Sequence, residues 1–348
     1  MRILNFALVG YGAIGKIHLL GAAHANFHLN LPFLLNNSAL ISRQPRDYPM
    51  MSARFYGDLG SALADGPLDY IDVCTPNDQH VQWVEIAAKY GLPIYMEKPI
   101  AHSVAEAAKA TRIVKDNNLI NGVAIPSRSA PGVQMIKQEL AKGTIGDIIG
   151  FKMVSFHKSY LDPARKNTWR TLPTSGGGAM LDLGIHSIDC LQYMLGKVKS
   201  VEAKSEIFFQ DRTTVDEITF ARLTLENGVT GSIEASRIYA TEDDTNSTII
   251  FGSAGSLELR NRELRIYRFS VNTTTIRRGS GGNKYYSGAG GNRIDGHGAN
   301  IASFASQILG EESYVAKFED ALSAQIIVEA CYESSQRCCS VDIPPLAY

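Results

Sequence analysis

Three polar side chains, Lys98, Asp182 and His186, have the types and positions that could carry chemistry in this sequence. Lys98 ends a short apolar segment, where its positive charge could stabilise a developing alkoxide. His186 follows Asp182 by four residues in a segment of helical periodicity, so both side chains fall on one helix face. The imidazole could accept a hydroxyl proton, while the carboxylate orients it, binds substrate or does both. The alternatives are a surface lysine and a structural histidine.

A glycine-rich turn at the start of the chain predicts a dinucleotide site. Gly10, Gly12 and Gly15 follow an apolar strand and lead into a helix. Such glycines allow a tight turn and a close approach of the backbone to a pyrophosphate, and the helix N-terminus offers unpaired N–H groups. Ala13 and Ile14 complete the predicted cofactor-binding turn. The alternative is a turn with a structural role only.

The end of the second strand bears on the choice between NAD and NADP. An acidic residue usually binds the ribose there, but counting about 20 residues from the turn reaches Asn36 or Asn37. Placing the strand end at Ile41 instead brings Ser42 and Arg43 to this position. A small polar residue followed by arginine can receive a 2′-phosphate, which favours NADP over NAD. Alternatively, Arg43 is a solvated loop charge.

Strands and helices alternate in the first part of the chain, which predicts a doubly wound parallel sheet. The predicted strands are Ile3 to Val9, Leu34 to Ile41, Tyr70 to Cys74 and Pro93 to Met96. One predicted helix begins near Gly15, and two others span Val81 to Tyr90 and Ser103 to Asn117. Ser103 and Glu106 form a capping box at the start of the last helix.

Consecutive strands with short turns dominate after about residue 125 and predict an antiparallel sheet. The predicted strands are Ile148 to His157, Val201 to Phe209, Ile218 to Leu225, Val229 to Ala235, Thr248 to Phe251, Ser256 to Leu259 and Leu264 to Phe269. Helices are predicted over Ala179 to Leu195 and Phe318 to Ser335, and Gly279 to Gly291 is interpreted as a surface loop.

Composition limits the classes of function. The 348 residues predict about two domains, and a net charge of -1 argues against nucleic acid as a partner. We interpret the apolar start of the sequence as a strand and not as a signal peptide, and we expect no membrane span because no apolar stretch reaches about 18 residues. Five scattered cysteines lack metal-ligand spacing, so we expect reduced thiols, a cytoplasmic location and no metal.

Four motifs together resemble the glucose-fructose oxidoreductase / inositol dehydrogenase (Gfo/Idh/MocA) family. Beside the glycine turn, they are Cys74-Thr75-Pro76-Asn77 with His80, Glu97-Lys98-Pro99, and the segment from Gly176 to His186 with Asp189. The resemblance implies an α/β protein with an N-terminal Rossmann domain and a C-terminal α/β domain built on a large open, mainly antiparallel sheet. We place the domains at residues 1–125 and 126–348 and expect a homodimer or homotetramer through the open sheet.

The resemblance also implies further site residues. Cys74, Thr75, Pro76, Asn77 and Glu97 join the cofactor site, with His80 either there or capping the following helix. The expected substrate-pocket residues are Arg128, Trp169 and Arg170, beside Asp182 and His186. His157 is a further candidate from its own position at the end of a predicted strand that borders the cleft, with no functional role as the alternative. For Trp169, a role as a core aromatic is the alternative.

The predicted activity is NAD(P)-dependent hydride transfer to or from a carbinol carbon of a sugar, polyol or related molecule. His186 would remove the hydroxyl proton while Lys98 stabilises the charge that develops. Two alternatives are a glycosidase that retains its dinucleotide and cleaves by transient oxidation, and a non-catalytic cofactor-binding regulator.

Overall fold

The computed structural model describes residues 1–42, 53–165, 171, 176–240, 245–260, 263–278 and 291–346. Within these ranges the strands are β1 (Arg2–Val9), β2 (Phe33–Ile41), β3 (Arg54–Tyr56), β4 (Tyr70–Val73), β5 (Ile94–Glu97), β6 (Asn121–Ala124), β7 (Ile148–Phe156), β8 (Val198–Glu206), β9 (Ile218–Leu225), β10 (Thr230–Ser236), β11 (Thr245–Gly252), β12 (Gly255–Arg260), β13 (Glu263–Arg268), β14 (Thr273–Arg278) and β15 (Val341–Asp342).

The α-helices of the same ranges are α1 (Ala13–His28), α2 (Leu59–Asp65), α3 (His80–Tyr90), α4 (Val104–Asp116), α5 (Pro131–Ala141), α6 (Ile185–Leu195), α7 (Gly291–Ile308) and α8 (Phe318–Arg337). A π-helical segment, Met180–Gly184, directly precedes α6. Among the described residues, no helix combines the length and hydrophobicity needed to cross a bilayer.

The chain divides into two compact units. The first consists of the described residues within Met1–Ser129 and Gly281–Leu322, and the second of those within Ala130–Ser280 and Ser323–Ala347. The first unit contains a parallel sheet with the described strand order β3-β2-β1-β4-β5-β6. The carboxyl ends of its strands share one edge, which is where open α/β sheets bind ligands.

Sequence patterns explain the elements of the first unit. The central strands are apolar on both faces, because helices cover both sides of a parallel sheet. The N-cap half of the predicted capping box is present, since the Oγ of Ser103 accepts a hydrogen bond from the Glu106 N–H at 3.3 Å. Helix α7, which the sequence did not predict, packs along α1, and Gly21 and Gly298 lie at the crossing. Apart from Gly291, the predicted loop Gly279–Gly291 lies outside the described residues.

The second unit is built on a mixed sheet with the described order β14-β13-β12-β11-β7-β10-β9-β8-β15. Neighbouring strands are antiparallel except β7 and β10, which pair in parallel with Phe156 opposite Ser236. One face of this sheet buries an apolar core against α5, α6 and α8. The predicted fold class, with its Rossmann-type parallel sheet and its mainly antiparallel sheet, is confirmed.

Candidate active site

The glycine turn between β1 and α1 has the shape that a dinucleotide requires. Gly10 adopts a φ of +90°, and a Cβ atom there would lie 2.8 Å from the carbonyl oxygen of Cys74. A Cβ atom on Gly15 would lie 2.3 Å from the carbonyl oxygen of Gly10, so this position in the first turn of α1 requires a residue without a side chain. Gly12 faces open space, since a Cβ atom there would meet no atom within 4 Å. The turn is therefore closely packed at Gly10 and Gly15 and accessible at Gly12.

The first turn of α1 offers donors for an anion. Gly12 is the N-cap residue of α1, and among the described residues no side chain makes a capping hydrogen bond there. The first turn also contains no acidic residue. Gly12 and Ala13 are exposed, and Ile14 is half-buried. The N–H groups of this turn, together with the positive end of the helix dipole, match the charge of a pyrophosphate. The residues present therefore fit the dinucleotide that the fold implies.

Ser42 lies at the carboxyl edge of the parallel sheet. Strand β2 ends at Ile41, as the preferred interpretation of the sequence required, and the Gly10 N–H donates to the Ile41 carbonyl at 3.0 Å. Ser42 follows directly, so a serine stands beside the glycine turn where an acid would bind a free ribose hydroxyl. Arg43, predicted as its companion, lies outside the described residues.

His80 joins the loop after β4 to the turn after β5. Its Nδ1 lies 3.0 Å from the carbonyl oxygen of Pro99 and its Nε2 lies 2.9 Å from that of Thr75. Burial lowers the pKa of His80, and the two carbonyl contacts offset this only in part. His80 is the first residue of α3, and its buried ring holds together two segments that the sequence assigned to the cofactor site.

The other predicted residues of this loop differ in exposure. Pro76 is exposed and Thr75 is half-buried, whereas Asn77 and Cys74 are buried. Burial raises the pKa of the Cys74 thiol, although nearby His18 acts in the opposite direction. Cys74 is therefore a neutral packing group under the turn and not a reactive thiolate.

Lys98 follows the last residue of β5 at the carboxyl edge. Its side chain is half-buried, and the Lys98–Pro99 peptide bond is cis. The carboxylate of Glu97 turns back to accept a hydrogen bond from the Lys98 backbone N–H at 3.1 Å. Glu97 is only 8% exposed, and its other oxygen contacts His18. Lys98 thus lies on a turn whose backbone is held by the buried carboxylate of Glu97.

In the second unit, the segment carrying Asp182 and His186 begins differently from its prediction. The sequence predicted one helix from Ala179 to Leu195, but Met180–Gly184 is π-helical and the α-helix starts at Ile185. The Asp182 N–H donates to the Gly178 carbonyl at 3.0 Å. The π turn lies between the two predicted side chains, so they do not follow α-helical spacing. Periodicity alone could not reveal this irregularity.

A buried carboxylate anchors the start of this segment. Asp216 accepts hydrogen bonds from the Met180 N–H, the Thr219 hydroxyl and the Tyr332 hydroxyl, each at 2.8 Å. Burial raises the pKa of Asp216, and these donors oppose the shift only in part. Gly178 adopts a φ of +113°, and a Cβ atom there would lie 2.3 Å from Oδ1 of Asp216. The glycine run before the segment therefore makes room for this carboxylate.

Arg237 forms a buried ion pair with Asp182 and was not anticipated from the sequence. Nη2 of Arg237 contacts Oδ2 of Asp182, and Nη1 donates to the Ser159 hydroxyl at 3.2 Å. The guanidinium also lies 5.8 Å from the Tyr160 ring centroid. The available signal was the position of Arg237 two residues after the predicted strand Val229 to Ala235, just as Lys98 follows the predicted strand Pro93 to Met96 by two residues.

The other predicted substrate residues have separate positions. His157 ends the β7 segment, where its N–H donates to the Ser236 carbonyl at 2.8 Å, so it lies beside the strand leading to Arg237. Arg128 belongs to the first unit, is 5% exposed, and binds Asp320 at 2.9 Å. His186 is half-buried and Asp189 is fully buried. Trp169 and Arg170 lie outside the described residues.

Comparisons with known proteins agree with this architecture. Residues 4–143 match the model of an oxidoreductase family with an NAD-binding Rossmann fold, and residues 133–258 match the GFO/IDH/MocA C-terminal domain. The levoglucosan dehydrogenase of Pseudarthrobacter phenanthrenivorans is 28% identical over 287 residues, covering 74% of this chain and 73% of that protein.

Solved structures give the same result over nearly the whole length. A levoglucosan dehydrogenase in complex with NADH superposes with a TM-score of 0.87 at 25% identity, covering 99% of this chain and 100% of that one. An NAD-binding oxidoreductase from Klebsiella pneumoniae has a TM-score of 0.88 at 25% identity, with the same coverage. Both family models match consecutive parts of the sequence, and the chain therefore belongs to the Gfo/Idh/MocA family of NAD-binding oxidoreductases.

Proposed function

We propose that this protein is an NAD(P)-dependent oxidoreductase that transfers a hydride between a nicotinamide cofactor and a carbinol or carbonyl carbon of a sugar, polyol or related small molecule. The observation that carries the proposal is the open glycine turn with uncapped N–H donors at the start of α1, in a chain that also has Lys98 at the carboxyl edge of the same sheet. The family description also names an oxidoreductase, and so does not support a glycosidase or a regulator.

The chain's own residues would divide the chemistry as follows. The bound nicotinamide supplies the hydride acceptor or donor. Lys98 stabilises negative charge on the substrate oxygen, and His186 holds the hydroxyl proton that leaves in oxidation and returns it in reduction. Asp182, fixed by Arg237, binds and orients a neighbouring hydroxyl. His80 keeps the Thr75 loop and the Lys98–Pro99 turn together around the cofactor.

The charge of the Asp182–Arg237 pair favours a neutral, polyhydroxylated substrate. The carboxylate and the guanidinium cancel each other, so this part of the site has no excess charge to attract an acid or an amine. The Nε of Arg237 is buried and has no acceptor among the described residues. One substrate hydroxyl could accept from this N–H while another donates to Asp182. The similarity to a levoglucosan dehydrogenase supports a sugar-like substrate.

We further propose a preference for NADP over NAD. The position after β2 holds Ser42 and not an acid, so the described end of this strand has no carboxylate that would repel a 2′-phosphate. Titration with NADH and NADPH, followed by ligand fluorescence, measures the preference directly. An Arg43→Ala variant should bind NADPH more weakly than the wild type does, with a smaller loss of affinity for NADH. An equal loss of affinity for both would contradict a role for Arg43 in binding the phosphate.

The expected homodimer or homotetramer is proposed to use the face of the mixed sheet opposite its helices. Phe220 and Phe251 lie on this face and are 44% and 41% exposed. Size-exclusion chromatography with light scattering tests the assembly, and a Phe220→Glu variant should be monomeric. The cytoplasmic location expected from the sequence also stays a proposal.

The decisive experiment is a panel of sugars and polyols, with levoglucosan among them, assayed with NAD and with NADP by absorbance of the reduced cofactor. We expect steady reduction of cofactor with at least one neutral polyol. A Lys98→Met variant, which keeps the length of the side chain but not its charge, should bind cofactor and lose turnover. Cofactor binding without turnover on any carbinol or carbonyl would overturn the proposal.

A further inference from the structure

The first unit contains a buried histidine between two carboxylates. Nδ1 of His18 lies 2.8 and 3.0 Å from the two carboxylate oxygens of Asp72, and Nε2 lies 3.0 Å from Oε1 of Glu97. His18 and Asp72 are fully buried, and Glu97 is 8% exposed. His18 belongs to the first turns of α1, whereas Asp72 and Glu97 belong to the neighbouring strands β4 and β5.

This geometry suits a doubly protonated ring. A neutral imidazole has one N–H, so one ring nitrogen would present its lone pair to a carboxylate oxygen 3.0 Å away or closer. An imidazolium donates from both nitrogens and compensates part of two buried negative charges. Although burial alone lowers the pKa of His18, Asp72 beside it raises that pKa well above 6.5. Burial alone would raise the pKa of Glu97, but the His18 contact lowers it to about 2.

We infer that His18 is a permanent buried imidazolium that acts as a positioning residue for Lys98 through Glu97, an inference that rests on the role proposed above for Lys98. One carboxylate oxygen of Glu97 is held by His18, and the other accepts from the Lys98 backbone N–H at 3.1 Å. A continuous path of polar contacts therefore leads from the helix of the glycine turn to the lysine. The ring fixes the lysine relative to the bound dinucleotide, because α1 carries both the ring and the turn.

The groups around the ring are consistent with this role. The titratable groups that face it, besides the two carboxylates, are the Cys74 thiol at 3.2 Å, the Tyr95 ring at 5.5 Å and the His297 ring at 4.9 Å between centroids. Burial raises the pKa of Cys74 and Tyr95, so both are neutral near pH 7. His297 also lies beside Glu97 and helps to lower the pKa of that carboxylate, but His18 is the ring that contacts both Glu97 and Asp72.

Loss of the charge should displace the turn. Without an imidazolium, Glu97 and Asp72 would be two buried carboxylates with no cation between them. Glu97 would then either take up a proton or swing toward solvent, and in both cases its hydrogen bond to the Lys98 N–H changes. A misplacement of about 1 Å at a catalytic group can cost about 10²-fold in rate.

The test compares two histidines of the same helix. His18→Gln removes the charge, and His24→Gln is the matched control, because His24 is also buried on α1 but pairs with Asp295 at 3.2 Å and not with the carboxylate next to Lys98. We expect kcat to fall about 10- to 100-fold in His18→Gln with little change in KM for the polyol or in the Kd for NADH, and to stay near the wild-type value in His24→Gln.

A second readout does not depend on activity. Lysines are ¹³C-methylated, and the Lys98 signal is assigned by its loss in Lys98→Arg. This signal should shift in His18→Gln and stay in place in His24→Gln. In addition, ¹⁵N spectra should show both nitrogens of His18 protonated at pH values well above 6.5. A neutral His18 ring, or an unmoved Lys98 signal in folded His18→Gln, would overturn the inference even if the enzyme proved to be a dehydrogenase.

If His18→Gln does not fold, Glu97→Gln keeps the ring and removes the carboxylate charge. It should shift the Lys98 signal and lower kcat in the same way, with Glu97→Asp partly restoring kcat. Unchanged kcat in Glu97→Gln would contradict the inference. Failure of the whole polyol panel would instead count against the proposed function, and the two NMR readouts would still decide whether His18 is charged and holds Lys98.

Discussion

Buried charges are arranged in opposite ways in the two units of this protein. In the first unit a histidine lies between Asp72 and Glu97, so one cation is shared by two anions. In the second unit Asp182 has its own cation, Arg237, whereas Asp216 is held by neutral donors. The pKa of Glu97 is consequently lowered, while burial raises that of Asp216. A carboxylate placed among cations keeps its charge, whereas one placed among neutral donors holds it less firmly.

The largest effect is expected from removing the imidazole of His186, which belongs to the second unit. His186→Ala should lower kcat by about 10²- to 10⁴-fold, because the substrate proton loses its acceptor. The Kd for NADH should stay near the wild-type value, since the glycine turn belongs to the first unit. Stopped-flow turnover and fluorescence titration measure the two quantities. Undiminished turnover would remove His186 from the mechanism.

Breaking the Asp182–Arg237 pair should mainly affect stability and substrate binding. Arg237→Gln leaves a carboxylate with 7% side-chain exposure without its cation, and we expect the free energy of unfolding to fall by about 3 to 5 kcal/mol. Urea denaturation provides the measurement. The double variant Asp182→Asn with Arg237→Gln should be more stable than Arg237→Gln alone. Additive losses would show that the two side chains do not depend on each other.

The two carboxylates, Glu97 and Asp216, should change the stability of the protein in opposite directions as the pH falls. The pKa of Glu97 is about 2 in the folded protein against about 4.5 when unfolded, so its contribution is present above pH 4.5 and lost as the pH falls toward about 2. Relative to Glu97→Gln, the wild type should lose about 1.4 kcal/mol per pH unit below about pH 4.5. Denaturation curves at several pH values test this.

Asp216→Asn is the contrasting variant, because the pKa of Asp216 is raised on folding. The folded state takes up this proton before the unfolded state does, so the contribution of Asp216 to stability increases as the pH falls through its folded pKa. Relative to Asp216→Asn, the wild type should therefore gain stability over that range. The same sign of slope for both variants would contradict the comparison.

The smallest effect is expected at the glycine before the π-helical segment. Gly178→Ala places a methyl group against Oδ1 of Asp216 at a φ of +113° and should lower stability by about 1 to 3 kcal/mol. Thermal unfolding followed by circular dichroism detects the change. Gly196→Ala is the control for backbone strain alone, because its φ is +108° but no atom lies within 4 Å of the added methyl group. Equal losses in both variants would show that contact with Asp216 adds nothing.

The sequence predicted those parts of the molecule that local patterns specify. The glycine turn, the strand ending at Ile41 and the N-cap at Ser103 each depend on residues close together in the chain, and the structure contains all three. The domain boundary and the assignment of Lys98, Asp182 and His186 to one reaction stay predictions. These depend on how separate segments meet a substrate, which local spacing does not determine.

What the sequence did not reveal depends on distant partners. Helix α7 contains Gly296 and Gly298, which weaken a helix by themselves, but Gly298 lies at its crossing with Gly21 of α1 and needs the small size. The role of Arg237 could not be predicted locally, because its ion-pair partner Asp182 lies 55 residues away in the chain. The contacts of His18 depend on distant residues in the same way, because its two carboxylate partners come from strands much later in the chain.

The single parallel pair in the mixed sheet has a further consequence. Since β7 and β10 are parallel neighbours, the segments that leave their carboxyl ends, with His157 on one and Arg237 on the other, emerge side by side. Backbone hydrogen bonds hold the two strands whatever follows them. The outgoing segments can therefore change in length or composition without disturbing the ladder, so that new substrate preferences can arise on an unchanged framework.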